Sequence, residues 1–465
     1  MPSTAQRALA EAEPAVYWTD REVPEPLPVV SQNLEADLAI IGGGFTGLWA
    51  AIRALEDDPG RRVVLVEAEV CGFGASSRNG GFCDASLTHG LENGLTHWPN
   101  EIDTLVRFGR DNLDEIEQTV TNYGIDADFR RASEVGVATE PWHLESLEKE
   151  LKGLQATGHD AEILDADAMQ SMVNSPTYLG GIATHGDLAL IDPARMVWGL
   201  RSLATTLGAS IHEGTKVSDL SDEGTVVRID TRHGSLRAPK VVVATNAYRA
   251  PVRQPQRYVI PVYDHVLMTE PLSPTQLESV GWKGREGLGD LSNQFHYYRM
   301  TEDNRILWGG YDATYHYGNG VANKHDQDDE IHGKLAEHFF RTFPQLVGLR
   351  FTHRWGGPIA TTTRFTAAWG RSHEDRVVWA AGYTGLGVGA SRFGAQVALD
   401  LVDHKNTERT ALSMVSSKPF PFPPEPIRWS GVQITRRAIA RADRRDGRRG
   451  AWLKLLDQFG VGFDS

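Results

Sequence analysis

The sequence predicts two domains of different class. One is an α/β unit assembled from separated stretches of the chain, and the other is an α+β unit built on an antiparallel sheet. Three observations carry that prediction. Residues 37 to 68 run strand, glycine turn, helix, strand; residues 376 to 402 again run strand, glycine turn, helix; and residues 257 to 310 read as β-structure. At 465 residues the chain exceeds one ordinary domain.

In chain order, residues 14 to 36 are rich in Pro and acidic side chains and read as an extended arm. "DLAIIGG" is a short buried strand. "GFTGLWAAIRALEDDPG" has helical spacing, with Leu48, Ile52 and Leu55 on one face, and stops at Pro59-Gly60. "RRVVLVEA" is a second buried strand, so the unit implies parallel pairing. Residues 101 to 155 read as mostly helical. "IDPARMVWGLRSLATTLGA" is a helix started by proline, and short strands follow to "VVVATNAY". After 257 come "YVIPVYDHVLMTEP", "QFHYYRM" and "RILWGGYD", then a helix near 327 to 343. "KPFPFPPEPIRW" is a proline-rich linker to a terminal amphipathic helix, with Trp452, Leu456 and Phe459 on one face beside a run of arginines from Arg436 to Arg449.

Composition narrows the function. Hydrophobic content of 40% and charged content of 23% are those of a globular protein. A net charge of −14 disfavours nucleic acid as a partner, and the terminal arginine run reads as a solvated helix docked on the chain itself or on a second copy. The two cysteines, Cys71 and Cys83, form no disulfide framework and no metal spacing, and the 16 histidines show no ligand pattern, so no metal is expected. With no secretory leader pattern and no long apolar run, the expected location is the cytoplasm, with no integral membrane segment.

The chemistry starts at "GGGFTG". Gly42, Gly44 and Gly47 have G-x-G-x-x-G spacing between a strand and a helix, with Phe45 and Thr46 between them. Such a turn lets backbone N–H groups approach a pyrophosphate at a helix N-terminus. Glu67 ends the second strand and can accept hydrogen bonds from a ribose, which points to a dinucleotide without a 2′-phosphate. The second turn, "AAGYTGLGVG", suggests a ligand long enough to touch both. Gly382, Gly385, Gly387 and Gly389 would set N–H groups and a helix dipole against a flavin's pyrimidine oxygen, which favours FAD over NAD.

"DLAIIGGGFTGLWAA", "VLVEAEVCGFGASSRNGGF", "IDPARM", "VVVATNAY" and "VVWAAGYTGLGVG", in this order, resemble the D-amino-acid oxidase/sarcosine oxidase (glycine oxidase-like) superfamily of FAD oxidoreductases. "YYRMTEDNRILWGG" and the "KPFPFP" tail look most like the γ-glutamylputrescine oxidoreductase branch. The resemblance implies a discontinuous Rossmann-like FAD domain (30–95, 156–250 and 353–417) of the glutathione-reductase-2/p-hydroxybenzoate-hydroxylase-like type. It implies a substrate domain at 96–155 and 251–352, with 418–465 as linker and C-terminal helix. By position, Gly74, Ala75, Ser76 and Ser77 would line the phosphates and ribityl chain, Arg78, Asn79, Gly80 and Gly81 would approach the isoalloxazine, and Ala68, next to Glu67, would also touch the cofactor. Val217 would meet adenine, Thr245 the pyrophosphate, and Leu386 and Val388 belong to the pyrimidine-side turn.

The implied reaction is hydride transfer to FAD from a carbon beside an amine nitrogen, giving an imine that hydrolyses to an aldehyde, with reoxidation by O2 or another acceptor. Amino-acid oxidases of the family anchor a carboxylate through an arginine before the last flavin strand, or a lysine in the last glycine turn. Here those places are "RWGGPIATTTRF" and Val388. An alkylamine, polyamine derivative or ω-amino acid is therefore expected over an α-amino acid, although Arg299 or Arg364 could substitute. Trp308 stands where sarcosine oxidases carry an O2-assisting lysine, and no tethering cysteine lies near 357 to 359, so FAD is expected to be non-covalent. His265, Tyr298, Arg299, Trp308, Trp355 and Tyr383 are the candidate catalytic pocket. The alternatives are a D-amino-acid, glycine or sarcosine type enzyme, an NAD-linked dehydrogenase, and a non-catalytic flavoprotein subunit.

Overall fold

In the computed structural model, which describes residues 2–458, 460 and 461, three sheets share the chain. The first has six strands in the order Ala368–Ser372, Val377–Ala381, Val241–Val243, Leu38–Ile41, Val63–Val66, Ser210–His212. All neighbours are parallel except the pair at the 368–372 edge. Its strands are near-continuous runs of Val, Ile, Leu and Ala because both faces are buried. Leu38 and Ile40 pack against helices on one side, while Ala39 and Ile41 pack on the other against a small four-stranded sheet that includes Ser235–Ala238, Val227–Thr231 and Val217–Asp222. Helices Phe45–Asp57 and Gly387–Val402 lie side by side on the first face.

The third sheet carries most of the remaining strands. Ile260–Thr269, Ile306–Gly310, His296–Met300, Gly287–Asp290, Arg130–Ala138, Gly180–Leu190 and Phe82–Asp84 follow one another across it, and Phe351–Thr361 pairs along Ile260–Thr269. One face buries a cluster of Val135, Leu267, Leu288, Tyr298 and Trp308 against helix Asp329–Thr342, through Phe339 and Phe343. The other face looks toward the nucleotide-type sheet.

Strand pairing moves several expected boundaries. Arg130–Ala138 is a strand between helices Ile102–Asn122 and Pro141–Ala156, in a stretch whose composition reads as helical. Phe82–Asp84, Asp160–Leu164, Gly180–Leu190 and Phe351–Thr361 all pair in the third sheet, so parts of 30–95, 156–250 and 353–417 belong with the substrate-side sheet. The chain crosses between sheets within these segments, and hydrogen-bond registry, not local periodicity, decides which sheet a strand joins. On that basis we propose domain limits drawn by sheet membership. The tail forms two helices, Ile427–Asp443 and Ala451–Gln458, with the arginine run reaching across their junction. Phe459 lies outside the described residues. No described helix is long and apolar enough to cross a membrane.

Candidate cofactor and active site

A cavity of about 2070 Å³ separates the two large sheets and is roofed by the C-terminal helices. It exceeds an ordinary small-ligand pocket of ~300–1,000 Å³, so it has room for an extended cofactor with a substrate beside it.

The first glycine turn forms one end. Gly42, Gly44, Phe45 and Thr46 line the cavity, at the N-terminus of a 13-residue helix whose N-cap residue, Gly44, has no side chain to cap it. Gly47 lies beneath them. A Cβ there would overlap the carbonyl oxygen of Gly42, and one on Gly42 would stand 2.6 Å from the Ala244 oxygen, at a φ of +111°. The Glu67 carboxylate accepts from the Gly43 N–H (2.6 Å) and the Glu69 N–H (3.0 Å). Burial pushes its pKa up, and these backbone donors pull it back. Ser76 Oγ accepts from the Phe45 N–H at 3.0 Å, tying the downstream loop to the helix start. Ala68, Val217 and Thr245 continue the same wall.

The second turn meets the first. Tyr383 Oη accepts a hydrogen bond from Thr46 Oγ1 at 2.9 Å, across 337 residues of chain. Gly385, Leu386, Gly387 and Val388 line the cavity at the start of the 16-residue helix Gly387–Val402. Gly382 and Gly389 do not line it. Gly382 donates its N–H to Asn246 Oδ1 at 3.0 Å, and Gly389 packs on the Asp84 main chain. Tyr383 does face the cavity, but its hydroxyl serves as a strut between the turns.

The loop 71–82 crosses between the sheets. Gly74, Ala75, Ser76, Arg78, Asn79 and Gly80 line the cavity, while Ser77 and Gly81 are turned into protein. Its backbone is held from below. Trp355 Nε1 donates to the Arg78 oxygen (2.8 Å), Trp18 Nε1 to the Asn79 oxygen (2.9 Å), and Arg299 to the oxygens of Gly81 (3.2 Å) and Ile191 (2.6 Å). The Asn79 side chain closes the loop on itself through Ala75, Ser76 and Gly81. Arg78 pairs with Asp326 at 2.5 Å.

These contacts revise the expected catalytic pocket. Trp355 and Arg299 are on the right face of the substrate-side sheet, but they brace the loop and do not line the cavity. His265, Tyr298 and Trp308 are on the wrong face. Tyr298 and Trp308 stack at 4.5 Å in the core against the helix layer, and His265 packs edge-on against buried His332. Successive strand residues point to opposite faces, so the cavity receives Tyr297 instead of Tyr298 and Asp264 instead of His265. Tyr297 donates its hydroxyl to Asp264 at 2.6 Å, and burial raises the Asp264 pKa. The adjacent tyrosines in "HYYRM" hide this choice, because either could be the inward one.

Two more groups of wall residues were not foreseen. Ile427, Val432, Ile439, Trp452 and Leu456 of the C-terminal helices close the roof, fastened by Trp452 Nε1 to Thr435 Oγ1 (2.9 Å), by Arg436 on Asp312, and by Asp443 accepting from the Asn293 and Gln294 N–H groups (3.0 Å each). Asp84 lies on the edge strand of the substrate-side sheet and Glu134 on an inner strand two places away, and both line the cavity. Burial and the neighbouring Asp84, Asp187 and Glu150 push the Glu134 carboxyl from 4.5 to about 8, and Asp84 rises to about 6. A carboxyl with a raised folded pKa keeps its proton in the native state while the unfolded chain releases it. Stability from this group is therefore lost as pH climbs from about 4.5 to about 8. Glu134→Gln should flatten that decline, so its melting temperature gains on wild type at pH 8.5 (~0.5 unit above that window). Parallel melting curves at acid and alkaline pH would contradict the assignment.

The family described as FAD dependent oxidoreductase (DAO) matches residues 37–401. The γ-glutamylputrescine oxidoreductase of Escherichia coli (strain K12) is 28% identical over 402 residues, covering 85% of this chain and 90% of that one. Among solved structures, glycine oxidase from Geobacillus kaustophilus superposes with a TM-score of 0.67 at 21% identity, over 81% of this chain and 96% of that one. L-proline dehydrogenase from P. horikoshii gives 0.67 at 18% identity, over 82% and 96%.

Proposed function

Because the chain belongs to the DAO family of FAD-dependent oxidoreductases, we propose that it oxidises the carbon–nitrogen bond of an alkylamine, polyamine derivative or ω-amino acid. FAD is its cofactor, and the residues present fit it: two helix N-termini open on one cavity, Gly42, Gly47, Gly382 and Gly389 leave no room for a Cβ, and a carboxylate sits at the end of the second parallel strand. When bound, FAD supplies a hydride acceptor for a carbon beside nitrogen.

One observation carries the choice of amine over α-amino acid. The wall at Gly357, Pro358, Ile359, Thr361 and Val388 has no cation of its own, Arg78 beside Gly357 is already paired with Asp326, and the two arginines that could replace one are turned away. Arg299 holds loop carbonyls, and Arg364 donates to Ser417 Oγ (2.7 Å) and the Met414 oxygen (3.2 Å) while lying over Trp98. A substrate carboxylate there would lose its water without gaining a charged partner, a penalty of about 2–4 kcal/mol. Tyr297, fixed by Asp264, offers an aromatic face to the amine end. The relatedness to γ-glutamylputrescine oxidoreductase supports the same reading.

The test is anaerobic reduction of the purified yellow protein with putrescine derivatives, N-methyl amines, ω-amino acids and D-amino acids. Alkylamines should bleach the band near ~450 nm, and peroxide formation in air then tells O2 from another acceptor. Bleaching by α-amino acids alone would overturn the reading. A flavin that no donor reduces would favour a non-catalytic subunit.

A further inference from the structure

We propose that a side chamber of the cavity, walled by Glu134 and Asp84, receives a second, protonated amino group of the substrate that is not itself oxidised. The proposal rests on the amine reading above and extends it to a class: diamines and longer cationic amines.

The chamber measures about 110 Å³ and shares Asp84, Gly90, Leu91, Glu134, Leu154 and Thr184 with the main cavity, so these residues stand between the two spaces and border both. Strand pairing places Asp84, Glu134 and Thr184 together. Glu134 stands opposite Thr184, and Asp84 opposite Leu188, on neighbouring strands. The main-chain carbonyl of Asp84 abuts Gly389 in the second glycine turn, so the chamber adjoins the turn that closes the cofactor end of the cavity.

Glu134 is deep in the protein, and its remaining accessible area opens on the cavity. Its carboxyl makes no hydrogen bond or ion pair with any described residue, and every charge that acts on it is another carboxylate. Among the described residues the Asp84 carboxyl accepts only from the N–H of Ser86 in its own loop, at 2.5 Å. The arginine of the chamber does not compensate, because Arg110 grips Asp187 through two bonds of 2.7 and 3.0 Å. His159 also leans on Asp187, at 3.8 Å, and burial lowers its pKa.

A buried carboxyl without a partner is costly to keep. An ammonium group restores the balance, since it brings one positive charge and three donors on a compact head. A chamber of this volume admits that head and little more. Because Glu134 and Asp84 also line the main cavity, an amine bound there can present its second head to them.

The oxidised holoenzyme can be titrated with butylamine and with 1,4-diaminobutane, following the flavin absorbance difference. The diamine should bind about ten-fold or more tightly than the monoamine, and that ratio should fall below about three in Glu134→Gln. Asp84→Asn reads the same ratio should Glu134→Gln fold poorly. Equal affinities in the wild type overturn the proposal. So does a preserved ratio in both variants when flavin content and melting temperature match wild type. If only α-amino acids perturb or reduce the flavin, the amine reading itself falls, and that result is distinct from an amine enzyme indifferent to the second charge.

Discussion

Gly47→Ala is expected to give a protein that purifies colourless and melts well below wild type. The new Cβ would overlap the Gly42 carbonyl oxygen, with the Ile40 side chain also 3.3 Å away. Both obstacles belong to the first parallel strand and its turn, so neither can move aside without shifting the helix from the strand. Overpacking against backbone costs about 3 kcal/mol or more, a large part of the ~5–15 kcal/mol that holds a domain folded. The same shift withdraws the N–H groups of Gly44, Phe45 and Thr46 from the cavity, so FAD affinity falls along with stability. Gly333→Ala is the matched control. It sits in helix Asp329–Thr342, meets nothing within 4 Å, and should keep its colour. Flavin absorbance per protein and thermal unfolding check both variants, and a yellow Gly47→Ala of wild-type stability would refute the argument.

Arg299→Met is expected to have the next largest effect, and to act through the cofactor loop. Arg299 is buried with 1% exposure, and burial lowers its pKa to about 10. Methionine keeps much of the apolar stem but leaves the Ile191 oxygen without its 2.6 Å donor and Asp128 without the guanidinium 3.9 Å away. An unsatisfied buried carbonyl costs ~1–3 kcal/mol, so the total is about 2–4 kcal/mol. Melting temperature and flavin retention should both drop, with Arg299→Lys partly rescuing them through its retained charge. A substrate anchor would behave differently, raising KM while flavin content and melting temperature stayed put.

The nucleotide half was largely legible because its signals are local. Gly42, Gly44, Gly47 and Glu67 occur at fixed offsets within one supersecondary unit, and the 382–389 turn repeats the pattern. The substrate half was legible as β-structure but not as a surface. Whether Tyr297 or Tyr298 faces inward depends on strand parity, and parity is set by pairing with Gly309 and Gly289 on the neighbouring strands, which the run of polar and aromatic residues itself does not report. Arg299 and Trp355 were read as pocket residues because polar and aromatic side chains near a cofactor suggest chemistry. Their true partners are main-chain oxygens of a loop more than 200 residues upstream, and no spacing rule reports such a bond. Glu134 escaped notice because its strand lies in a stretch with helical composition.

The junction of Thr46 with Tyr383 bears on how the protein is made. A ribosome releases the first turn early, but the strand Val377–Ala381 that must lie beside Val241–Val243, and the helix that follows it, emerge only near the end of synthesis. Until then the growing chain exposes an unpaired parallel strand edge, a template for misassociation. Flavin capture is thus a late event in the life of each molecule, and a message cut short before codon 377 would yield a chain without the second turn that closes on the vitamin-derived group.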